Sequence, residues 1–286
     1  MSGFLEEMAR SSRERVRSAR SVRPEAALER EARASARPPP LRLDPSGFDL
    51  IAEVKLRSPA AGTLAGPGED LPARLRAYAG AGAASVSVLT EPSRFAGSLE
   101  HLAAAARLLA PLGVPVMRKD FLVEPYQLLE ARAAGAGGVL LIVRMLSRAD
   151  LDALIACARS LGLFVLLEAF DARDLELVGA LIGAHGATAH DAAAEGAGAA
   201  LLAGVNCRDL TTLEVTPGRL LELAPLLPAG APRVAESGVG SADDVRQVAA
   251  AGYQLALVGS ALMRGGDPRE LAAALLAAGR AGGRIS

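Results

Sequence analysis

The 286-residue sequence contains no tryptophan, and aromatic residues together make up only 3% of it. So few aromatic side chains leave little material for the stacking platforms that bind single-stranded nucleic acids. Neither sign of charge is in excess, because 31 lysines and arginines face 32 aspartates and glutamates, for a net charge of −1. A nucleic-acid binder needs a clustered basic excess, so we expect no nucleic-acid partner.

Two cysteines, Cys157 and Cys207, are too few for a disulfide framework or for a structural zinc site of their own. This scarcity predicts a cytoplasmic protein in a reducing environment. No apolar run approaches the roughly 18 residues that span a bilayer, so we expect no membrane partner. Residues 1–10 carry Glu6 and Glu7 with no apolar stretch behind them, so we expect no signal peptide.

Hydrophobic residues make up 51% of the chain, which predicts a large buried core and excludes global disorder. Residues 1–47 are predicted to form an N-terminal helical extension and linker. Apolar residues at helical spacing indicate an amphipathic helix, and a second short helix is predicted near residues 24–33. Three prolines at 38–40 are predicted to end the extension as a stiff linker. Two interpretations of the extension stay open: a solvated, charge-laced helix and a lid over a site.

Short apolar runs recur from residue 48 onward and alternate with stretches of helical spacing. The eight runs are LIAEVK (50–55), ASVSVL (84–89), VPVM (114–117), GVLLIV (138–143), LFVLLE (163–168), ALLAGVN (200–206), PRVAES (232–237) and LALVGS (255–260). Runs of this length suit strands buried on both faces, and eight strands alternating with helices indicate parallel βαβ units.

A repeated glycine supports the same architecture, because it closes a predicted helix just before a strand at low conformational cost. These glycines are Gly82, Gly135, Gly196 and Gly252. We therefore predict an α/β fold, a (β/α)8 TIM barrel over residues 48–276 with an N-terminal helical extension and a C-terminal tail at 277–286. An open doubly wound sheet is the alternative, although the first turn lacks that fold's glycine-rich fingerprint.

Polar and charged residues stand at the predicted carboxyl ends of the strands, where barrels of this kind carry their active sites. They are Glu53, Lys55, Lys119, Glu168, Asn206, Arg208 and Glu236. A buried carboxylate needs a partner, so we expect Lys55, Lys119 and Arg208 to pair with the glutamates. The alternative is a salt-bridge network without a catalytic role. It is the weaker interpretation, because polar residues stand at so many of the strand ends.

Small residues follow the last two strands, Ser237-Gly238 after the seventh and Gly259-Ser260 after the eighth. Many barrels bind a phosphate at these positions through backbone N–H groups at a short helix N-terminus. We therefore predict a phosphate site there.

The stretch 179–199 is longer than its counterpart before the preceding strand, and it is predicted to lie at the amino-terminal face of the barrel, remote from the site. Residues 191–195 within it are predicted to form a short helical turn. His185 and His190 lack further ligands at a matching spacing, so we expect them to bind no metal.

Several motifs resemble the indole-3-glycerol phosphate synthase family, and they stand in that family's order from about residue 50 to 264. The segments are IAEVKLRSPAAG, SVLTEPSRFAGSLEHL, PVMRKDFLVEPYQLLEARAAGAGGVLLI, VLLEAFD, GVNCRDLTTLEV, VAESGV and LVGSALMR. The charged N-terminal segment also looks like the family's helical extension. The resemblance implies the substrate 1-(2-carboxyphenylamino)-1-deoxyribulose 5-phosphate, a small anionic phosphorylated molecule, and closure of its pyrrole ring with loss of CO₂ and water.

The resemblance also implies residue roles, with Lys119 as general acid, Glu168 as general base and Lys55 on the substrate carboxylate. The implied catalytic set is Lys119, Glu168, Lys55, Glu53 and Asn206. The implied substrate-binding set is Ser58, Phe95, Phe121, Leu140, Ile142, Arg208, Glu236 and Ser237, with Ser237, Gly238, Gly259 and Ser260 around the phosphate. No cofactor and no metal is implied. Which lysine delivers the proton at each step stays open.

This chemistry leads to an expectation about proton affinities. A lysine near other cations is expected to have a lowered pKa, and a carboxyl group in an apolar strand a raised one, so that both work near neutral pH. The sequence departs from the family pattern at Ala60 and Ala61, where a second serine commonly stands, and at Leu56, where a basic residue often stands.

Two other interpretations remain. A phosphoribosylanthranilate isomerase would place a catalytic cysteine and aspartate near the ends of the first and sixth strands, where this chain begins with Glu53 and Lys55. A non-catalytic binding barrel would be free to lose Lys119, Glu168 or Asn206, all of which are present. The sequence does not decide the oligomeric state, and a monomer is compatible with it.

Overall fold

The computed structural model describes residues 3–44, 47–60, 62–64, 69–186, 200–210, 212–264 and 266–282. Its central sheet is a closed barrel of parallel strands. The strands are β1 (Asp49–Val54), β2 (Ser85–Leu89), β3 (Val116–Lys119), β4 (Gly138–Ile142), β5 (Phe164–Ala169), β6 (Leu201–Asn206), β7 (Arg233–Glu236) and β8 (Leu255–Val258). Because β1 pairs with both β2 and β8, the predicted barrel is confirmed and the open sheet is excluded.

Helices precede, connect and follow the barrel strands. They are α1 (Gly3–Val22), α2 (Glu25–Ala34), α3 (Leu71–Ala81), α4 (Pro92–Phe95), α5 (Leu99–Leu109), α6 (Pro125–Ala133), α7 (Arg148–Ser160), α8 (Ala172–His185), α9 (Gly218–Leu223), α10 (Ala242–Ala250), α11 (Ser260–Met263) and α12 (Pro268–Gly282). Gly82, Gly135 and Gly252 have φ values of 95°, 87° and 94°, which confirms their predicted left-handed conformation. Gly196 lies outside the described residues.

Side chains from alternate strands form layers across the interior of such a barrel. Followed around the closed sheet, the register puts four ionisable side chains into one layer. They are Glu53 of β1, Lys119 of β3, Glu168 of β5 and Glu236 of β7. Two residues earlier on the same strands lies a buried apolar layer, which consists of Ile51, Met117, Leu166 and Val234. The interior is thus packed as a core up to the level at which the charged layer begins.

The N-terminal extension packs against the carboxyl-end face of the barrel. Its first helix, α1, buries Leu5 and Met8, and the Phe4 ring meets the Phe121 ring edge-on at 5.8 Å between centroids. Arg15 donates to both carboxylate oxygens of Asp120, at 2.8 and 3.0 Å. The extension is therefore docked beside the end of β3, and the interpretation as a merely solvated helix is wrong.

Two boundaries differ from the sequence-based expectation. The last helix, α12, continues to Gly282, beyond the predicted barrel end at residue 276, because its late turns still bury Ala278 and Gly279. Gly279 packs directly on the Phe48 ring, where an added Cβ would lie 2.3 Å from the ring. Helix α8 likewise takes up residues 179–185 of the predicted insertion, whereas the turn predicted at 191–195 lies outside the described residues.

Candidate active site

A cavity opens at the carboxyl ends of the barrel strands, with about 890 Å³ of empty space when its open mouth is included. Nearly all the predicted site residues line it: Glu53, Lys55, Phe95, Lys119, Phe121, Leu140, Ile142, Glu168, Asn206, Arg208, Glu236, Ser237, Gly238, Gly259 and Ser260. Residues from every barrel strand or the loop after it therefore converge on one place.

Ser58 is the predicted substrate contact that the structure places outside this lining. After Lys55 the chain pairs with itself, because the two-residue strand Arg57–Ser58 runs antiparallel to Gly62–Thr63. Ser58 is 8% exposed within that hairpin. The motif spacing could not reveal this, since the hairpin depends on backbone pairing across a turn.

Lys119 lies between two carboxylates of the charged layer. Its Nζ is 3.2 Å from Oε2 of Glu236 and 3.8 Å from Oε2 of Glu168. A second pair stands beside it, in which Lys55 Nζ donates to Oε1 of Glu53 at 2.6 Å. Two lysine and three glutamate side chains therefore share one buried region, as the need to pair buried glutamates predicts.

The pKa of Lys119 differs in direction from the value expected from the sequence. Burial by itself favours a neutral amine at Lys119, but Glu168, Glu236 and Glu53 together raise its pKa above the ordinary lysine value. The expectation of a lowered pKa is therefore wrong, because the neighbours of Lys119 are mainly carboxylates rather than cations. Lys119 is an ammonium at neutral pH.

The raised carboxyl pKa belongs to Glu236. Burial, followed by repulsion from the carboxylate of Glu168, raises the pKa of Glu236 to about 8, although Lys119 opposes this shift. Glu53 behaves in the opposite way: burial favours its neutral form, but Lys55, Lys119 and Arg208 together lower its pKa. The charged layer therefore holds carboxyl groups of different proton affinity within one site.

Asn206 orients the carboxylate of Glu168. Its Nδ2 donates to Oε1 of Glu168 at 2.5 Å, and its own Oδ1 accepts from the backbone N–H of Arg208 at 2.9 Å. The guanidinium of Arg208 in turn donates to the carbonyl of Leu213 at 2.8 Å. Because both ends of the Asn206 amide are engaged, its orientation and that of Glu168 are fixed together.

The turns after β7 and β8 form the other side of the cavity. Ser237 and Gly238 have φ values of 64° and 68°, and left-handed backbone at a serine is a strained conformation typical of functional sites. An added Cβ at Gly238 would lie 3.0 Å from the Sγ of Cys207, so the turn is also tightly packed. After β8, Ser260 begins the short helix α11 directly at the cavity.

Among the described residues, no group of three or more histidine, cysteine, aspartate or glutamate side chains is placed to hold a metal. His185 instead places Nε2 2.7 Å from Asp152 of α7. His190 lies outside the described residues. Over the described part of the chain, no helix is both long and apolar enough to cross a membrane.

The sequence motifs did not identify six residues that line the cavity: Leu89, Asp120, Leu210, Val239, Leu257 and Ala261. Leu89 and Leu257 occupy inward positions of β2 and β8, which counting every second residue from Ser87 and Gly259 would have identified. Leu210 and Ala261 lie in loops, where no period predicts the direction of a side chain.

Fold and site together define a barrel enzyme that carries acid–base groups at the carboxyl ends of its strands. The model of the family described as indole-3-glycerol phosphate synthase matches residues 5–275. The chain is 46% identical over 231 residues to the indole-3-glycerol phosphate synthase of Parafrankia sp. (strain EAN1pec), covering 80% of this chain and 78% of that protein. It is 44% identical over 252 residues to the enzyme of the same description from Mycolicibacterium smegmatis, covering 86% and 85%. This chain belongs to the indole-3-glycerol phosphate synthase family.

A solved structure shows the same fold at much lower identity. The 3-hexulose-6-phosphate synthase from Salmonella typhimurium superposes with a TM-score of 0.59 at 13% identity, covering 81% of this chain and 98% of that one. At this identity the similarity concerns the barrel alone.

Proposed function

We propose that the charged layer and its cavity close the pyrrole ring of 1-(2-carboxyphenylamino)-1-deoxyribulose 5-phosphate, with loss of CO₂ and water, to give indole-3-glycerol phosphate. As a member of its family, the chain is a carbon–carbon lyase of tryptophan biosynthesis. The observation that carries the proposal is Lys119, an ammonium held between Glu168 and Glu236 and lining the cavity at the carboxyl ends of the strands.

Lys119 is the general acid of this proposal. Its ammonium donates a proton to the ribulose carbonyl, which becomes electrophilic enough for attack by the ring carbon that bears the carboxylate. Because surrounding carboxylates raise the pKa of Lys119, the group carries its proton when substrate arrives. The carbon–carbon bond forms as the carbonyl becomes a hydroxyl, and CO₂ then leaves with its electrons returning to the ring.

Glu168 is the general base of the later step. The hydroxyl takes up a proton from a lysine and leaves as water, while Glu168 accepts the proton whose loss completes the pyrrole, and Asn206 keeps the accepting carboxylate in place. Lys55, steadied by Glu53, faces the carboxylate of the substrate and is the second candidate proton donor. Glu236 and Arg208 support these groups.

Binding is divided between the two sides of the cavity. Phe95 and Phe121, with ring centroids 6.2 Å apart, together with Leu140 and Ile142, offer an apolar wall for the aromatic ring. The backbone around Ser237-Gly238 and Gly259-Ser260 faces the opposite end, where the phosphate would bind. No cofactor is needed for this chemistry.

The competing isomerase interpretation receives no support from Cys207. Its thiol is buried, and burial raises its pKa to about 11, so it is not a thiolate at neutral pH. Its side chain lies behind the Gly238 turn rather than at the cavity surface.

The test is to incubate the purified chain with the anilino-deoxyribulose phosphate and to follow the indole chromophore spectroscopically. We expect product formation that is lost in Lys119→Ala. A folded protein that binds this substrate without turning it over would favour a non-catalytic barrel, and isomerisation of phosphoribosylanthranilate would favour the other enzyme.

We further propose that the chain works in the cytoplasm and as a monomer. The two free cysteines fit a reducing environment, and among the described residues the large hydrophobic side chains that are exposed are Val22, Leu112, Leu221 and Leu226. Light scattering coupled to gel filtration would test the monomer, because a mass near twice 29.2 kDa would contradict it.

A further inference from the structure

The carboxyl group of Glu236 reaches below its own layer. The interior positions just beneath, on the even-numbered strands, are Ser87, Leu140, Gly204 and Leu257. Gly204 of β6 is the member of this set without a side chain, and Glu236 Oε1 occupies the space next to it. A Cβ added at Gly204 would lie 2.3 Å from Oε1 and 3.3 Å from Cδ of Glu236.

The backbone at this position does not itself require glycine. Gly204 lies in the middle of β6, paired with Glu168 of β5 and Val234 of β7, and its φ is outside the left-handed region. A mid-strand glycine weakens a strand and often marks a close approach by another group. What glycine provides here is room for a carboxyl group.

This room gives the two oxygens of Glu236 different surroundings. Oε2 accepts from Lys119 at 3.2 Å, whereas Oε1 is buried without a hydrogen-bond partner among the described atoms. An alanine methyl at residue 204 would push Oε1 upward toward the cavity, because below it lies the Leu166 side chain, 2.9 Å from the same Cβ position. Such a shift would also disturb the contact with Lys119.

We propose that Gly204 is a positioning residue that seats the Glu236 carboxyl group against the apolar floor, the buried layer of Ile51, Met117, Leu166 and Val234, and thereby sets its distance to Lys119. The proposal rests on the function proposed above. The ionisable groups that face Glu236 are Lys119 of β3, Glu168 of β5 and Glu53 of β1. The neighbouring strands β6 and β8 present Asn206 and Leu257 in register with it.

The first experiment compares Gly204→Ala with Gly138→Ala. Gly138 is a matched control, because a Cβ there would also meet a side-chain atom at 2.3 Å, but that atom belongs to the Phe164 ring, outside the cavity lining. We expect Gly204→Ala to lower kcat/KM about 10- to 100-fold, since a misplacement of about 1 Å can cost that much. We expect Gly138→Ala to lower Tm with kcat/KM within about threefold of the parent.

The pH profile separates positioning from simple destabilisation. A carboxyl group lifted from the apolar floor loses part of its burial penalty, so the kcat/KM limb that reflects Glu236 should move to lower pH in Gly204→Ala, by about half a unit or more. The limb should stay in place in Gly138→Ala. An unchanged limb in Gly204→Ala would overturn the proposal.

A double-mutant cycle tests whether Gly204 acts through Glu236. In a Glu236→Ala background the added methyl meets only the far end of the Leu166 side chain, at 2.9 Å, which can move aside, so Gly204→Ala should change the residual kcat/KM by less than about twofold. An equal loss in both backgrounds would contradict the proposal. If Gly204→Ala does not fold, the double variant Gly204→Ala/Glu236→Ala should regain a cooperative thermal transition. A double variant that also fails to fold would contradict the proposed role of Gly204. Full activity of Glu236→Ala alone would instead contradict the role proposed for Glu236.

Discussion

Lys119 and its two neighbours in sequence, Arg118 and Asp120, belong to two buried charge clusters with opposite properties. Because side chains alternate along a strand, Lys119 enters the barrel while Arg118 faces the helices. Asp120 comes just after β3, where it borders the cavity and pairs with Arg15 and Arg118. The inner cluster consists of Glu53, Lys119, Glu168 and Glu236. The outer cluster consists of Arg15, Thr90, Arg118, Asp120, Gln127 and Glu130. Both clusters are largely shielded from solvent.

The outer cluster is closely hydrogen-bonded. Asp120 accepts from Arg15 at 2.8 Å, from Thr90 at 2.7 Å and from Arg118 at 3.2 Å. Burial would raise the pKa of Asp120, but the hydrogen bond from Arg15 and the charges of both arginines lower it to about 2. Arg118 also binds Glu130 at 3.0 Å. This arrangement stabilises the fold and ties α1 to the end of β3.

The inner cluster is incompletely hydrogen-bonded. Within the described residues, Glu53 Oε2 and Glu236 Oε1 have no hydrogen-bond partner, and the pKa of Glu236 is raised to about 8. Buried polar groups in this condition cost free energy, so they are typical of functional sites rather than of structural networks. Arg15 Nε of the outer cluster also has no partner among the described residues, so the difference lies in the carboxylates: both oxygens of Asp120 are hydrogen-bonded, whereas Glu53 and Glu236 each leave one oxygen unpaired.

The largest effect should come from breaking the inner cluster at its centre. Lys119→Ala should lower kcat by about 10²- to 10⁴-fold, because it removes the general acid. Since the outer cluster stays intact, the circular dichroism spectrum should match that of the parent. Activity close to the parent's would remove Lys119 from the mechanism.

Glu168→Gln should lower kcat by about 10²-fold or more, with a smaller change in KM. The amide keeps the shape of the side chain but cannot accept the proton. Steady-state kinetics on both variants would separate the roles. A rise confined to KM would make Glu168 a binding residue.

Breaking the outer cluster should reverse the pattern. Asp120→Asn leaves the buried Arg118 and the half-buried Arg15 without their shared carboxylate, which should lower the free energy of unfolding by about 3–5 kcal/mol. Urea titration would measure it. The control is Asp243→Asn, because the Asp243 side chain is 81% exposed and its pair with Arg246 is worth less than about 1 kcal/mol. A similar loss in the two variants would contradict the distinction between clusters.

Acid should also act on the outer cluster. Because the folded pKa of Asp120 lies below its ordinary value of 3.8, the stabilisation is present above pH 4 and is lost as the pH falls through about 2. The expected contribution is about 2 kcal/mol. Urea titrations between pH 5 and 2 should show this loss in the parent and a smaller one in Asp120→Asn; parallel curves would refute the assignment.

The smallest effect concerns the polar turns beside the inner cluster. Inorganic phosphate should inhibit competitively, raising the apparent KM a few-fold at unchanged kcat, by occupying the backbone around Ser237-Gly238 and Gly259-Ser260. Sodium chloride at equal ionic strength serves as the control. Equal inhibition by both salts would show general screening and no phosphate site.

The sequence by itself determined the barrel and the place of its chemistry. Eight apolar runs separated by helical spacing predict strands and helices because each depends on local periodicity. The closure of that sheet puts every strand end at one face, so Lys119, Glu168 and Asn206 could be assigned to one site without coordinates. The motif resemblance added the roles of these residues.

Only the tertiary structure decided the proton affinities and the close packing. The pKa of Lys119 is raised because carboxylates arrive from β1, β5 and β7, at distances that depend on register around the whole barrel. The hairpin at Ser58, the docking of Arg15 on Asp120 and the room beside Gly204 depend in the same way on contacts between distant segments. Sequence patterns predict which face of a strand a side chain takes. The electrostatic energy of two charged groups depends on the distance between them, and a change smaller than the spacing of neighbouring strands already alters it.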